Sequence, residues 1–377
     1  MSTPHFNVGI LGATGAVGQT FIRLLDGHPW FTVTALAASE RSAGKPYWEA
    51  ANWLSGKPMP ASVEDIEVQE TDPSALDCDF VFSGLSSSVA GDVEKAFAEA
   101  GFPVISNAKN YRMHDDVPLL IPEVNADHAR LVENQSWGDG GGFIVTNPNC
   151  STVGLVCALR PLVSEFGVDR VQVTMLQALS GAGYPGVPSL DALGNVIPYI
   201  GGEEDKLATE PRKILGTFEN GRIQPASMTV SAQCNRVPVR EGHLACISVA
   251  CDTPVSVADV TAALDGYRSP LTSEDLPSVP ESFLRVMTEV DAPQPRRHVK
   301  NGGGMTVSVG RIQECPVNHV KFVALSHNTI RGAAGGAVLN AELLARDGYL
   351  NGSGASRSGQ TEKATSADAT SDGATVA

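Results

Sequence analysis

The most constraining feature of the chain is a glycine-rich turn between a predicted strand and a predicted helix near its start. Residues 6–11 have the apolar character of a buried strand, and residues 19–25 continue as a helix. Between them lies the sequence GATGAVG, with glycines at positions 12, 15 and 18, which permits a tight turn and close approach of a pyrophosphate. The pattern predicts a dinucleotide-binding α/β fold, although a glycine-rich turn of another α/β protein is the alternative. The expected cofactor contacts in this turn are Gly12, Thr14, Gly15, Ala16 and Val17.

The segment after the next predicted strand, residues 31–36, should lie beside the adenosine ribose of such a cofactor. An NAD site usually offers a carboxylate there, whereas an NADP site offers a cation for the 2′-phosphate. Here Ser39, Arg41 and Ser42 place a cation near two hydroxyl groups, which favours NADP. Glu40 is the opposing observation, because its carboxylate would suit NAD.

A second chemical signal is the segment 147–152, whose sequence is Asn-Pro-Asn-Cys-Ser-Thr. An apolar strand-like run precedes it and an apolar helical pattern follows it. A cysteine on such a turn lies near unpaired backbone N–H groups and the positive end of a helix dipole, which favour a thiolate. Cys150 is therefore a candidate nucleophile for acyl transfer, with the Asn149 amide as a donor to the oxyanion. The alternative is a small buried side chain, which is what most free cysteines are.

Length and charge exclude several classes of protein. The chain has 377 residues, enough for two domains, and its net charge of −15 argues against a nucleic-acid partner. No apolar stretch near the start has the length of a signal peptide or a membrane span. The seven cysteines have no zinc-binding spacing, and their odd number fits a reducing compartment. We therefore expect a cytoplasmic protein without a metal, a nucleic-acid partner or a membrane anchor.

Residues 1–148 alternate between strand-like and helix-like patterns. Strands are predicted at 80–86 and 103–106, with a helix between them. This rhythm predicts an N-terminal Rossmann domain, in which a parallel sheet binds ligands at the carboxyl ends of its strands. Ser83 and Gly84 lie at such an end and therefore join the candidate cofactor site.

From residue 149 onward the predicted strands are longer. They indicate an α+β catalytic and dimerisation domain with a mixed sheet over residues 149–327. A helix rich in small residues, within 328–348, should pack back on the first domain and complete it. Residues 351–377 consist mainly of Ser, Gly, Thr, Ala and Asp, which predicts a disordered tail. The expected strands are 171–178, 244–251, 305–313 and 320–326.

Several motifs, taken in their order along the chain, resemble those of the aspartate-semialdehyde dehydrogenase family. Together they span about residues 5–348. Two further phrases, at 200–206 and 328–334, resemble the archaeal and fungal branch of that family. The motifs matching the whole family are the glycine turn, Asn149-Cys150, Gln177 with Ser180-Gly181-Ala182-Gly183, and Arg236 followed by Gly242-His243.

The resemblance implies reduction of L-aspartyl-4-phosphate by NADPH to L-aspartate 4-semialdehyde and phosphate, in the biosynthesis of lysine, threonine and methionine. Cys150 would attack the acyl phosphate, phosphate would leave, and hydride would reduce the resulting thioester. A thiolate suits this chemistry because it is both a good nucleophile and a good leaving group from the thiohemiacetal. The resemblance also implies a homodimer or homotetramer.

The resemblance further assigns roles to individual residues. It makes His243 the general acid/base, a role suited to a group that titrates near neutrality, and it places Gln177 beside the acyl group. Arg236 would bind the substrate α-carboxylate, for which its planar fork is suited.

Other implied contacts leave alternatives open. In the family pattern Glu203 meets the substrate ammonium and Lys206 faces the phosphate, but the adjacent Glu204 competes for the carboxylate role. Arg112 resembles the phosphate-binding arginine, although Lys109 is a competing cation. The implied contacts with the nicotinamide end of NADPH are Ser180, Gly181 and Asn328.

Two rival hypotheses use the same residues. A malonyl-CoA reductase or an N-acetylglutamyl-phosphate reductase would share the glycine turn, Cys150 and His243. Arg236 together with Glu203 favours a substrate bearing both a carboxylate and an amine, which a malonyl thioester lacks. A non-catalytic dinucleotide sensor is the distant rival, and it has no use for this set of reactive side chains.

Overall fold

The computed structural model describes residues 4–350. The first part of the chain contains a six-stranded parallel sheet. The strand order is β3-β2-β1-β4-β5-β6, so the chain reverses its direction of growth beside β1. In sheets of this order, dinucleotides bind outside the carboxyl ends of the strands at that reversal. The strands are β1 (Phe6–Leu11), β2 (Phe31–Ala38), β3 (Val68–Glu70), β4 (Phe80–Ser83), β5 (Pro103–Ser106) and β6 (Phe143–Thr146). The helices are α1 (Ala16–Leu25), α2 (Tyr47–Ala50), α3 (Ser87–Glu99) and α4 (Pro122–Asn125).

The remainder of the chain forms a mixed sheet with helices on one face. Its strand order is β10-β7-β11-β14-β13-β12, with both parallel and antiparallel neighbours. The parallel sheet and the mixed sheet expected from the sequence are thereby confirmed. The strands are β7 (Arg170–Gln177), β8 (Thr217–Glu219), β9 (Arg222–Gln224), β10 (Thr229–Arg236), β11 (His243–Ala250), β12 (Leu284–Met287), β13 (Val307–Glu314) and β14 (Val320–Ser326). The helices are α5 (Cys150–Phe166), α6 (Ser189–Ala192), α7 (Glu203–Ile214), α8 (Val257–Gly266), α9 (Pro295–His298) and α10 (Gly335–Arg346).

Three hydrophobic clusters hold these layers, and two of them bear on the site. Helix α5 packs on the inner face of the mixed sheet, where Val156 and Leu159 share a core with Val173. Helix α10 returns to the first sheet, where Leu339 shares a core with Ile10. The active-site helix therefore belongs to one core, while α10 joins another.

The helix predicted from residue 328 begins later than expected. A π-helical turn, Ile330–Ala334, precedes α10, and the backbone of Ala333 departs from helical geometry. Gly332 explains the irregularity, because a side chain there would meet Cβ of Cys150 at 2.8 Å. The turn thus packs its backbone directly against the candidate nucleophile.

None of the helices in residues 4–350 has both the length and the apolar character that a membrane crossing needs. The predicted disorder of residues 351–377 lies outside the described part of the chain.

Candidate active site

The candidate catalytic residues meet because three neighbouring strands place their ends at one edge of the mixed sheet. β10 runs parallel to β7, and Arg236 pairs with Gln177 where both strands end. β11 runs antiparallel to β7, so its first residue, His243, lies at the same edge. Cys150 begins α5 immediately opposite, with its Sγ 3.2 Å from Nε2 of His243. The topology therefore assembles the set from four separate parts of the sequence.

The tautomer of His243 follows from its backbone contact. The N–H of Ala178 donates to Nδ1 at 3.1 Å, so the neutral ring carries its proton on Nε2. Burial lowers the pKa of His243 to about 3, and the nearby Arg236 guanidinium acts in the same direction. His243 is therefore neutral at physiological pH and presents an N–H to the sulfur of Cys150.

The surroundings of Cys150 oppose the thiolate that its position at a helix terminus favours. Desolvation, together with the Glu203 carboxylate, raises the pKa of the Cys150 thiol to about 12. Three cations, Arg112, Arg236 and Lys206, oppose this effect without overcoming it. The helix terminus is present as predicted, but desolvation outweighs its dipole. These surroundings favour the thiol form of Cys150.

Asn149 does not stand free as the expected oxyanion donor. Its Oδ1 accepts from the N–H of Ser151 at 3.0 Å and so caps α5. Its Nδ2 donates to Oε1 of Glu203 at 3.0 Å. The side chain therefore joins the start of the catalytic helix to α7, a positioning contact that a strand-to-helix pattern cannot reveal.

Glu203 is the centre of a buried hydrogen-bond network. Besides Asn149, it accepts from Nε2 of Gln177 at 3.0 Å and from Nζ of Lys206 at 2.7 Å. These donors hold the pKa of Glu203 below its usual value despite the desolvation that opposes them. The adjacent Glu204 instead accepts from the backbone N–H of Cys234 at 3.0 Å. Of the two competing carboxylates, Glu203 is the one joined to the residues around Cys150.

Arg112 lies in the same region, whereas Lys109 is exposed. The Arg112 guanidinium forms a buried ion pair with Glu210 at 2.9 Å and donates to the carbonyl of Asn107 at 2.8 Å. Its Nε is buried and has no partner among residues 4–350. Glu210 and the carbonyl of Asn107 therefore hold Arg112 in place.

The glycine turn has the geometry that a pyrophosphate needs. Gly12 has a φ of +74°, which favours glycine, and a side chain at Gly18 would collide with the carbonyl oxygen of Gly12. Gly84 closes the other side, since a side chain there would meet the backbone nitrogen of Gly18 at 3.2 Å. Helix α1 begins after Gly15 with no side-chain cap, so its N-terminus can receive an anion.

The other cofactor candidates divide into exposed and buried groups. Arg41 and Ser39 are exposed on the turn that follows β2, as is Glu40, while Ser42 is half-buried. Ser83 is fully buried at the end of β4.

At the nicotinamide end, Asn328 links two loops. Its Nδ2 donates to Oγ of Ser180 at 2.8 Å, and its Oδ1 accepts from the N–H of Gly242 at 2.8 Å. Gly181 lies so close to His243 that a side chain there would meet the ring at 3.0 Å. These contacts connect the catalytic edge with the segment that leads to α10.

Sequence reasoning missed several residues that support the site. Glu210 was not predicted as a site residue. It belongs to a stripe of alternating charge on α7 with the spacing i, i+3, i+7 and i+10. This spacing was readable from the sequence. Arg331 and Glu123 form a fully buried ion pair at 2.6 Å behind α5, for which the sequence offers no signal. The members of the α7 stripe are Glu203, Lys206, Glu210 and Lys213.

No three His, Cys, Asp or Glu side chains within residues 4–350 come together as a set of metal ligands. A dinucleotide crevice joined to a sheet edge bearing a cysteine, a histidine and several cations defines a dehydrogenase that works through a cysteine. Residues 7–132 match the family described as "Semialdehyde dehydrogenase, NAD binding domain", and residues 159–331 match its "dimerisation domain".

The curated relatives point to one enzyme. The chain is 51% identical to aspartate-semialdehyde dehydrogenase of Archaeoglobus fulgidus over 344 residues, which cover 91% of this chain and 99% of the relative. It is 50% identical to the Candida albicans enzyme, covering 89% of this chain and 97% of the relative. The chain belongs to the aspartate-semialdehyde dehydrogenase family, which confirms the resemblance read from its motifs.

Solved structures agree with this assignment. The Candida albicans enzyme with NADP superposes with a TM-score of 0.84 at 48% identity, covering 92% of this chain and 100% of that chain. The Vibrio cholerae enzyme II complexed with ASA gives a TM-score of 0.72 at 29% identity, covering 92% of this chain and 99% of that chain.

Proposed function

We propose that this protein reduces L-aspartyl-4-phosphate with NADPH to L-aspartate 4-semialdehyde and phosphate, as its family membership indicates. The observation that carries the proposal is the contact between Cys150 and His243 at a sheet edge that also holds Arg236 and Glu203. This combination offers a nucleophile, a proton donor and partners for an amino acid's two charges. The relatives favour this reaction over that of a malonyl-CoA reductase or an N-acetylglutamyl-phosphate reductase.

The residues present fit NADPH. The uncapped N-terminus of α1 suits the pyrophosphate, and Arg41 on the turn after β2 suits the 2′-phosphate. The loops joined through Asn328 and Ser180 would hold the nicotinamide end. When bound, the cofactor supplies the hydride that reduces the thioester on Cys150.

Cys150 does the covalent chemistry. Sγ bonds to the acyl carbon as the thiol proton passes to the departing phosphate oxygen. The carbon–oxygen bond to phosphate breaks, and phosphate leaves with that electron pair and the proton. Nε2–H of His243 stabilises the developing negative charge, first on sulfur and then on the substrate oxygen after reduction. The thiohemiacetal anion then collapses, which releases the aldehyde and a thiolate, and the thiolate takes a proton from solvent to restore the thiol.

The charged side chains around Cys150 would each bind a different group of the substrate. Arg236 faces the edge with its guanidinium beside Gly181, where it can bind the α-carboxylate. Glu203 would accept from the ammonium group, since a carboxylate has about four acceptor positions and three donors already bind it. Arg112 and Lys206 would supply the positive charge that holds the phosphate.

The reaction is tested in reverse by supplying aspartate semialdehyde, phosphate and NADP and recording NADPH absorbance. We expect phosphate-dependent NADPH formation. Parallel reactions with N-acetylglutamate semialdehyde and phosphate, and with malonate semialdehyde and coenzyme A, should be slower by orders of magnitude. Faster turnover of either alternative would replace the proposed substrate.

Replacing Arg236 by lysine should lower kcat/KM for aspartate semialdehyde by about ten- to a hundredfold. The charge remains, but the planar bidentate geometry is lost, and a charged hydrogen bond of this kind is worth about 1.5–3 kcal/mol. Binding of NADP, followed by fluorescence titration, should scarcely change. Normal kinetics in this variant would mean that the α-carboxylate binds elsewhere.

Replacing Arg41 by alanine should raise KM for NADP far more than KM for NAD. Arg41 is exposed and its cation suits the 2′-phosphate that only NADP carries. The measurement is a pair of steady-state titrations, one with each cofactor. Equal changes in both would remove Arg41 from the phosphate site and direct attention to Glu40.

We also propose that two copies of the chain form a homodimer in a reducing, cytoplasmic setting. The segment between β7 and α7 lies within the matched dimerisation domain and exposes Leu190, Leu193 and Tyr199, the first of them by 90%. Such exposure of apolar side chains is typical of a surface that a partner covers. All seven cysteines are free, as a reducing compartment requires. Sedimentation velocity should give twice the chain mass, and a monomer at micromolar concentration would contradict the dimer.

A further inference from the structure

We infer that Glu210 is a positioning residue that fixes the phosphate-binding arginine and the catalytic helix at the same time. This inference rests on the proposed function, because it assigns Arg112 to the phosphate. Glu210 lies on α7 with only 2% of its surface exposed. It is two helical turns after Glu203 and therefore on the same face of the helix.

Each oxygen of the Glu210 carboxylate accepts a hydrogen bond from a different residue. Oε1 accepts from Nη1 of Arg112 at 2.9 Å. Oε2 accepts from the backbone N–H of Asn149 at 2.7 Å, directly before Cys150. One rigid carboxylate thus links the guanidinium to the backbone that places the nucleophile.

The rest of α7 supports both partners independently. Lys213 donates to the carbonyls of Arg112, His114 and Val117 at 2.6–2.8 Å, which fixes the backbone of the Arg112 loop. Glu203 binds the side chain of Asn149. Glu210 alone among these joins the Arg112 guanidinium to the Asn149 backbone. Its loss should therefore misplace the guanidinium and the nucleophile while the loop and the helix remain folded.

The substitution Glu210→Gln tests this role, since glutamine keeps the size but has a single acceptor oxygen and no charge. We expect KM for phosphate to rise about tenfold or more and kcat to fall about tenfold, in line with the loss of a charged hydrogen bond. KM for NADP should change by less than about twofold, because α1 is not involved. A reduced melting temperature with normal KM for phosphate and normal kcat would show a purely structural role and overturn the inference.

Glu342→Gln is the matched control. Glu342 is also a fully buried carboxylate that accepts from a backbone N–H, that of Ser278 at 3.0 Å, but it lies on α10 outside the catalytic edge. Its loss should affect melting temperature without raising KM for phosphate selectively. An equal rise of KM for phosphate in both variants would contradict a specific role for Glu210.

If Glu210→Gln fails to fold, Glu210→Asp provides the second variant. Aspartate keeps the charge but is shorter, so it cannot hold both partners at their present distances. We again expect a selective rise of KM for phosphate, and wild-type kinetics would overturn the inference. Failure of the wild-type protein to form NADPH with aspartate semialdehyde would instead refute the proposed function.

Discussion

Replacing Cys150 by alanine is expected to abolish turnover, by more than about 10⁴-fold, while leaving NADP binding nearly intact. Without the sulfur no thioester can form, and no other side chain at the edge can take its place as a nucleophile. The fold should tolerate the change, because alanine is a good helix former and Cys150 occupies the first position of α5. The measurements are the reverse assay and a fluorescence titration with NADP.

Cys157→Ala is the natural control, since it removes a sulfur from the same helix two turns later. Cys157 is fully buried and accepts from Nη2 of Arg331 at 3.4 Å, so its role is packing. This variant should retain most activity and lose some thermal stability through the small cavity it creates. A severe loss of activity at Cys157, together with a mild effect at Cys150, would show that the wrong sulfur has been assigned.

The parts of the fold that the sequence predicts are those governed by local rules. The turn at Gly12 requires a positive φ, and Gly18 tolerates no side chain, so their spacing carries the geometry of the whole β1–α1 unit. Strands and helices alternate along this part of the chain, and such alternation favours a parallel sheet. The start of α10 escaped prediction because its cause is the packing of Gly332 on Cys150, far away in sequence.

The same distinction between local rules and contacts distant in sequence applies to the candidate site. Residue types and spacing pointed to Cys150 and, through the family, to His243. The raised pKa of the thiol was not predicted, because a helix terminus is a local feature whereas the desolvation of Cys150 depends on the whole fold. The second role of Asn149 and the whole role of Glu210 depend on contacts across more than fifty residues of sequence. Of the charged stripe on α7, only Glu203 and Lys206 were predicted as site residues, although the spacing of the whole stripe was readable from the sequence.

Replacing His243 by asparagine should lower kcat by about 10²–10³-fold with a much smaller effect on KM for aspartate semialdehyde. The shorter asparagine side chain cannot carry an N–H to the position of Nε2, 3.2 Å from Sγ, and the loss of one donor to a developing negative charge typically costs about this factor. A pH profile adds a test of the wild-type protein. Since burial lowers the pKa of His243 to about 3, its ring stays neutral above pH 5 and kcat/KM should show no inflection near pH 6.5.

Alkylation of Cys150 by iodoacetamide completes the test on the unliganded protein. Burial raises the pKa of the thiol to about 12, so the thiolate fraction should rise about tenfold per pH unit through pH 8–10. The same steep rise should persist in His243→Asn, because a neutral imidazole holds no positive charge that would favour the thiolate. If alkylation instead reached a plateau below pH 8 in the wild type and lost that plateau in the variant, Cys150 and His243 would form an ion pair before substrate binds. The neutral pair, derived from the contact between His243 and Ala178, would then be refuted.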